Sequence, residues 1–347
     1  MSIDVRWSTD LVTYFHPPWW GLPADLTYDA WEKAVDSDPE PYFRRMLDSA
    51  AAARLRGIEL APAPGGWVNA LRAFGSAAAF RHELESRGLT LSSSYVLPVL
   101  LKAALDAPPE SRRAAEHALD DEVTQHAEFL AEVGCPTLVT STVPRAEFSD
   151  IAGEPASAAA FDAPADPDLL GAIADQLDRI GTVAARHGVS VAVHTDAYSL
   201  ASRTADVDAL MDRTDPARVK LCIDAGHIAL DGGDPLAVLR AHADRAPVLH
   251  WKDCASHLPP HTLSGPPMVR HDTMIRYFRV MGSDGVVDWN RWIDILRDKR
   301  WTGWGVAEID MSVDPQREIR EGIEYYERVC RPQTSALRGG DYGAATP

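Results

Sequence analysis

The stretch VKLCIDAGH, residues 219–227, carries the pattern from which the fold prediction starts. A short run rich in Val, Leu and Ile is typical of a strand buried in a sheet. This run ends in a carboxylate, Asp224, and His227 follows three residues later. A buried carboxylate is costly unless it is paired or binds a cation. The stretch therefore predicts a buried strand whose carboxyl end carries a polar site.

Seven further runs of this kind occur, and helix-length segments separate them. The eight predicted strands are residues 5–14, 57–61, 89–96, 135–142, 189–196, 219–224, 246–252 and 304–309. Four predicted helices, 39–56, 67–87, 108–133 and 167–187, are each followed by a glycine, as suits a left-handed helix C-cap. The alternation predicts parallel βα units in an α/β fold, a (β/α)8 TIM barrel. A doubly wound open sheet is the alternative, although no glycine-rich phosphate-binding sequence follows any strand.

Composition and charge narrow the classes of function. The 347 residues are 46% hydrophobic and 24% charged, which is the balance of a globular protein. We expect one barrel over residues 1–330, a long connection at 253–288 over the site, and a flexible tail at 331–347. No apolar run is long enough for a membrane span. The net charge of −17 opposes nucleic-acid binding. Four cysteines without CxxC spacing favour reduced thiols and a cytoplasmic location.

Ligand-type side chains are concentrated at the ends of the last four predicted strands. In a (β/α)8 barrel the active site lies at these carboxyl ends. Converging there, the side chains would offer imidazole and carboxylate ligands to Mn²⁺, Zn²⁺, Co²⁺ or Fe²⁺. Two simpler interpretations are a helix cap for Asp224 and a hydrogen-bonded core position for His194. The candidate ligands are His194, Asp196, Asp224, His250 and Glu308.

The second half of the chain resembles the xylose-isomerase-like barrels, the sugar phosphate isomerase/epimerase superfamily. The resemblance rests on CIDAGH (222–227), GGDPLAVLRAH (232–242), LHWKD (249–253) and the segment 282–310 that closes in Glu308. It implies one divalent metal ion, Mn²⁺ first among the candidates. Asp224, His250 and Glu308 match the family's ligands, and His227 a substrate-binding residue. Lys252 and Asp253 match the family's lysine and aspartate after the metal histidine, and Lys252 is a predicted catalytic residue.

Strand five departs from this family pattern. The family's glutamate is missing from VAVHTD (191–196), where His194 and Asp196 share parity and can both face inward. This arrangement is most similar to the 2-keto-myo-inositol dehydratases. In the sugar epimerases two metal-binding glutamates act as the paired acid and base. Losing one argues against two-base epimerisation and leaves a one-base elimination.

The N-terminal segment TDLVTYFHPPWWG (9–21) resembles the large subunits of bacterial C-glycoside deglycosidases. Those enzymes eliminate an aglycone from a 3-oxo sugar, so the resemblance implies a glycoside substrate. A small second subunit or a homo-oligomer is an open alternative for the assembly. Four further substrate contacts are predicted: His16 and Trp20 after strand one, Glu59 on strand two, where it could instead neutralise a basic neighbour, and Arg279 from the long connection.

These observations predict a metal-dependent lyase that removes a proton next to a carbonyl of a keto-sugar or keto-cyclitol. His194 or Glu308 is the predicted base, and His227 or Lys252 would hold oxygens. Protonation of the leaving group would fall to His16 or to a histidine of 253–288. The alternatives are a sugar isomerase or epimerase and a non-catalytic barrel subunit. The acidic, glycine-free segment 309–315 argues against a phosphorylated substrate.

Overall fold

Eight parallel strands close into a barrel in the computed structural model, which describes residues 3–151 and 153–330. The barrel order is β1 to β7 and then β10, which pairs with β1. The (β/α)8 prediction is confirmed, and the open-sheet alternative is wrong. The predicted tail at 331–347 lies outside the described residues. The strands are β1 Arg6–Asp10, β2 Gly57–Leu60, β3 Thr90–Val96, β4 Thr137–Ser141, β5 Ser190–His194, β6 Val219–Asp224, β7 Val248–His250, β8 Lys252–Cys254, β9 Phe278–Val280 and β10 Trp304–Val306.

Helices fill the connections and cover the barrel. Over the described residues they are α1 Tyr28–Ser37, α2 Pro39–Ala52, α3 Trp67–Phe74, α4 Ala77–Glu85, α5 Val99–Asp106, α6 Pro109–Val133, α7 Ala158–Asp162, α8 Pro167–Ala185, α9 Thr204–Met211, α10 Ala225–Leu230, α11 Pro235–His242, α12 Pro267–Ile275, α13 Trp289–Asp298 and α14 Pro315–Tyr325. None of the described helices is long and apolar enough to cross a membrane.

Two of the helix predictions need correction. The predicted helix 67–87 is two helices, because Gly75 adopts a left-handed φ of 81° and the Ser76 side chain caps the N-terminus of α4. Gly88, Gly134 and Gly188 have the expected positive φ. Gly57 instead opens β2, and a Cβ there would lie 3.0 Å from the Trp304 ring. It therefore provides room for barrel closure rather than a helix cap.

The first strand is shorter than predicted. It ends at Asp10, whose Oδ1 accepts a hydrogen bond from the Val12 amide at 2.6 Å. This capping bond starts a 3-10 turn over Leu11–Tyr14, so the chain leaves the barrel six residues before His16. The strand end therefore presents Asp10 to the barrel mouth instead of the aromatic segment that follows.

The barrel interior is layered, and the layering positions the site. One buried layer is apolar and consists of Val139, Ala192, Cys222, Val248 and Val306. Two residues further along each strand the side chain is polar. Because alternate residues of a strand face the same side, each polar residue lies directly above an apolar one. The upper layer consists of Ser141, His194, Asp224, His250 and Glu308, and it is buried throughout.

The predicted long connection 253–288 is ordered rather than an open loop. It begins with an antiparallel ribbon in which Asp253 of β8 pairs with Arg279 of β9. Asp253 also accepts a hydrogen bond from Trp289 Nε1 at 2.8 Å, which anchors the ribbon to α13. Between the two ribbon strands lies α12, which has no buried residue. The connection is thus a firmly tied ribbon that carries a lightly packed helix.

Candidate metal centre and active site

Four side chains converge at the mouth of the barrel. One ligand atom from each of His194, Asp224, His250 and Glu308 can be chosen so that all four lie within 4.8 Å of one another. They come from the ends of β5, β6 and β7 and from two residues beyond β10. Their convergence follows from the parallel register, in which Asp224 is directly opposite His250. All four side chains are buried.

The spacing of these atoms fits a divalent metal ion. His194 Nε2 lies 3.1 Å from His250 Nδ1, and each nitrogen lies 3.6 Å from Asp224 Oδ2. Ligands held at roughly 2.0–2.2 Å from one ion are spaced about 3–3.5 Å apart. Asp224 Oδ2 is buried without a hydrogen-bond partner among the described residues, and Glu308 Oε2 is in ion-pair contact with His250 Nδ1. Two imidazoles and two carboxylates suit Mn²⁺, Fe²⁺, Co²⁺ or Zn²⁺.

Each of the two histidines has a carboxylate behind it. Asp196 Oδ1 lies 2.8 Å from His194 Nδ1, and Glu59 Oε1 lies 3.0 Å from His250 Nε2. Such partners fix the orientation and tautomer of a metal-binding imidazole. Burial raises the pKa of Glu59, but the attraction of His250 outweighs it and lowers the pKa to about 2. Asp196 therefore orients the His194 ring, and Glu59 orients the His250 ring. Asp196 stands outside the four-atom cluster, and Glu59 is fully buried away from the cavity.

Lys252 is buried among carboxylates beside this cluster. Its Nζ lies 2.7 Å from Glu308 Oε1, 2.6 Å from Asp310 Oδ2 and 3.7 Å from Asp224 Oδ2. Burial opposes its charge, but Asp310 and Glu308 raise the pKa of Lys252 well above its usual value, so it is an ammonium. The sequence analysis missed Asp310. The signal was present, since Asp310 follows Glu308 with the same i, i+2 spacing as Asp196 follows His194.

Asp224 caps a helix and also belongs to the four-residue cluster. Asp224 Oδ1 caps α10 by accepting the His227 amide at 2.8 Å, while Oδ2 belongs to the cluster. The His227 ring lines the cavity, and its Nδ1 accepts a hydrogen bond from the Ala197 amide at 3.0 Å. Burial and the nearby Lys252 lower the pKa of His227, which favours the neutral ring.

A cavity of about 300 Å³ opens above the cluster. Its volume suits a small polar ligand. The sequence analysis missed two polar residues that line this cavity. They are Asp10 at the end of β1, and Tyr95, whose hydroxyl lies 2.9 Å from Asp196 Oδ2. The lining residues are Asp10, Val12, Pro62, Tyr95, Leu97, His194, Asp196, Ala197, His227, His250, His271, Met274, Glu308 and Asp310.

Four predicted substrate contacts lie outside this cavity: Glu59, which is buried behind His250, and His16, Trp20 and Arg279. His16 precedes the 3-10 turn Pro17–Trp20. Trp20 packs on Tyr42 with ring centroids 4.9 Å apart and donates its Nε1 hydrogen to the Tyr14 carbonyl at 2.7 Å. Arg279 pairs with Asp284 at 3.1 Å on the ribbon. The early end of β1 keeps His16 and Trp20 away from the cavity, and the β8–β9 pairing keeps Arg279 away from it.

Comparisons with known proteins agree with this architecture. The profile of the xylose isomerase-like TIM barrel family matches residues 47–329. Inosose dehydratase of Halalkalibacterium halodurans is 26% identical over 271 residues, covering 77% of this chain and 80% of that protein.

Two solved structures share the fold. The probable 3-DHS dehydratase AsbF of Bacillus anthracis superimposes with a TM-score of 0.63 at 14% identity, over 94% of this chain and all of that one. The IolI protein with a bound zinc atom gives 0.63 at 10% identity, over 94% and 98% of the two chains. The curated relatives, inosose dehydratases by name, indicate an enzyme of the lyase type. The chain belongs to the xylose isomerase-like TIM barrel family.

Proposed function

We propose that this chain is a divalent-metal-dependent lyase acting on a keto-sugar or keto-cyclitol. It would remove a proton next to the carbonyl and expel a leaving group from the β carbon. The observation that carries the proposal is the buried four-donor cluster, which opens into a small cavity and has a charged lysine beside it. Inosose dehydratase, a relative over most of its length, catalyses by its name a reaction of this class.

The residues in and beside the cluster have different proposed roles. His194, Asp224, His250 and Glu308 would hold the ion, with Mn²⁺ the first candidate, and the ion would act as a Lewis acid on the substrate carbonyl. Asp196, a predicted ligand, is proposed instead to orient His194. Both nitrogens of His194 are committed, one to Asp196 and one to the cluster, so His194 is a poor base. Glu308 is the proposed base, because each of its carboxylate oxygens keeps a second lone pair beside its contacts with Lys252 and the cluster, whereas an imidazole nitrogen has only one. The Lys252 ammonium would stabilise negative charge that develops on the substrate oxygen.

Elimination is favoured over epimerisation by the chemistry of strand five. An epimerase of the two-base type needs a second free carboxylate opposite Glu308. Asp196, two residues beyond β5, stands outside the four-donor cluster and supports His194 instead. Epimerisation or isomerisation remains the second candidate, because the same proton abstraction begins both reactions. A glycoside with a larger leaving group, a small second subunit, a homo-oligomer and a cytoplasmic location also stay proposals.

The proposal is tested by metal content and elimination activity in matched variants. Protein purified without chelator should contain about one transition-metal ion per chain and dehydrate 2-keto-myo-inositol. Asp224→Asn should lose the ion and the activity while remaining folded, because asparagine also caps helices well. Asp234→Asn, at the remote cap of α11, is the control and should keep both. Full metal content and activity in Asp224→Asn would refute the site.

A further inference from the structure

The proposed elimination needs an acid for the leaving group, and the metal cluster does not provide one. Glu308 would take the proton from carbon, and Lys252 is held by three carboxylates. Tyr95 is held by Asp196 and Ser141 through its hydroxyl. His227 has its Nδ1 on the Ala197 amide. A departing hydroxyl leaves poorly unless a neighbouring group gives it a proton.

His271 on α12 is placed for this task. Its side chain is 29% exposed and lines the cavity. Its Nε2 lies 3.6 Å from Asp310 Oδ1, which is ion-pair distance and too long for a hydrogen bond. Catalytic contacts in ligand-free enzymes are often long and tighten on substrate binding. Because α12 has no buried residue, a small movement of the helix can close this gap.

Asp310 connects His271 to the rest of the site. Its Oδ2 lies 2.6 Å from Lys252 Nζ, while its Oδ1 faces His271. The buried ammonium thus fixes the carboxylate that orients the imidazole. The other histidines of the connection are elsewhere: His257 Nδ1 lies 2.9 Å from the Leu230 carbonyl oxygen, and His261 is exposed.

We propose that His271, oriented by Asp310, is the general acid that protonates the leaving group. This assignment rests on the proposed elimination. Glu308 accepts the proton from the carbon next to the carbonyl, and a carbon–carbon double bond forms as the carbon–oxygen bond to the β-hydroxyl breaks. The His271 imidazolium gives its proton to the departing oxygen, which leaves as water. Proton exchange with solvent restores both groups, so the net reaction is the loss of one water.

The test separates the two proton transfers in the metal-loaded full chain. Exchange of the α-hydrogen of 2-keto-myo-inositol with deuterium oxide reports the base, and formation of the unsaturated product reports base and acid together. His271→Gln should retain exchange within a few-fold of wild type and lose elimination by about 10²–10⁴-fold. The His271→Gln variant should turn over the analogue that carries fluoride in place of the β-hydroxyl nearly as fast as wild type does, because fluoride leaves without a proton. His261→Gln is the matched control from the same connection and should behave as wild type.

Every other outcome counts against the assignment. Normal elimination by His271→Gln would overturn it. Equal losses of exchange and elimination, or a slow reaction of the fluoro analogue, would show a structural or binding role. Wild-type protein that neither exchanges nor eliminates would contradict the proposed function itself and, with it, the role of His271.

Discussion

At the scale of single residues, the site depends on two carboxylates, Asp196 and Glu59, that lie behind its histidines and outside the four-donor cluster. His194 and His250 are buried rings, and each has one nitrogen in the cluster and the other on a carboxylate. A buried imidazole without such a partner would be free to rotate or to change tautomer. The supporting carboxylates therefore decide whether the four donor atoms are pre-organised for a metal ion.

Replacing Asp196 by asparagine should weaken metal binding without removing it. The variant keeps the shape of the side chain but loses the charge that holds His194 Nδ1, and supporting residues of this kind typically contribute about 10–100-fold in affinity. The dissociation constant of the ion, measured by competition with a chelator, checks this. Asp208→Asn breaks a comparable pair with His242 at the surface and is the control. Equal affinities in the two variants would contradict the support role.

A buried histidine outside the site should make the fold sensitive to acid. His126 on α6 is fully buried, stacks on Trp67 and lies 2.8 Å from Ser94 Oγ. Burial lowers its pKa from 6.5 to about 3. Between these two values the unfolded chain binds a proton that the folded chain excludes, so this residue lowers stability as the pH falls below 6.5.

The predicted slope is up to about 1.4 kcal/mol of unfolding free energy per pH unit from this one residue. The His126→Gln variant should therefore lose less stability than wild type between pH 6.5 and pH 5, even where it is less stable at pH 7. Urea unfolding at several pH values measures the difference between the two curves. Parallel curves would show that His126 is protonated in the folded protein.

At the scale of elements, the short helix α10 is pressed against β8. A Cβ on Gly226 would lie 2.8 Å from Lys252 Cγ and 3.0 Å from the Lys252 backbone. Gly226→Ala should therefore push Lys252 from its carboxylates and lower both activity and stability. Gly171→Ala, within α8 where a Cβ meets nothing within 4 Å, should instead raise stability by roughly 0.5–1 kcal/mol. Thermal unfolding and turnover of the pair measure the contrast, and a neutral Gly226→Ala would contradict the close approach.

The elements also show where sequence reasoning succeeds. The run 219–224 matches β6 at both ends, because its apolar residues and the capping Asp224 mark the same boundaries. For β1 the apolar pattern continues past Asp10 into a buried 3-10 turn, so periodicity alone extends the strand too far. That error drew His16 and Trp20 into the predicted site and hid Asp10. Asp310 could have been found from its i, i+2 spacing to Glu308, whereas His271 lies on α12, far from the barrel strands in sequence, where tertiary contacts alone decide its position.

At the scale of the whole molecule, the cluster joins three adjacent strands and the segment after the fourth. His194, Asp224 and His250 sit on β5, β6 and β7, and Glu308 follows β10, which pairs with both β7 and β1. A bound ion would therefore tie together the half of the barrel that includes its closing seam. Without it, Asp224 and Glu308 are balanced only by the imidazoles and by the Lys252 ammonium.

Removing the ion should consequently lower the melting temperature of the entire barrel. An ion present at 100 times its dissociation constant stabilises the folded state by about 2.7 kcal/mol, which corresponds to a shift of roughly 4 °C for a domain of this size. Calorimetry of metal-loaded protein with and without chelator should show that shift, and added Mn²⁺ should reverse it. Asp224→Asn should melt at one temperature under both conditions. A chelator effect of equal size in wild type and Asp224→Asn would place the responsive ion outside this cluster, because the variant lacks the carboxylate on which the site depends.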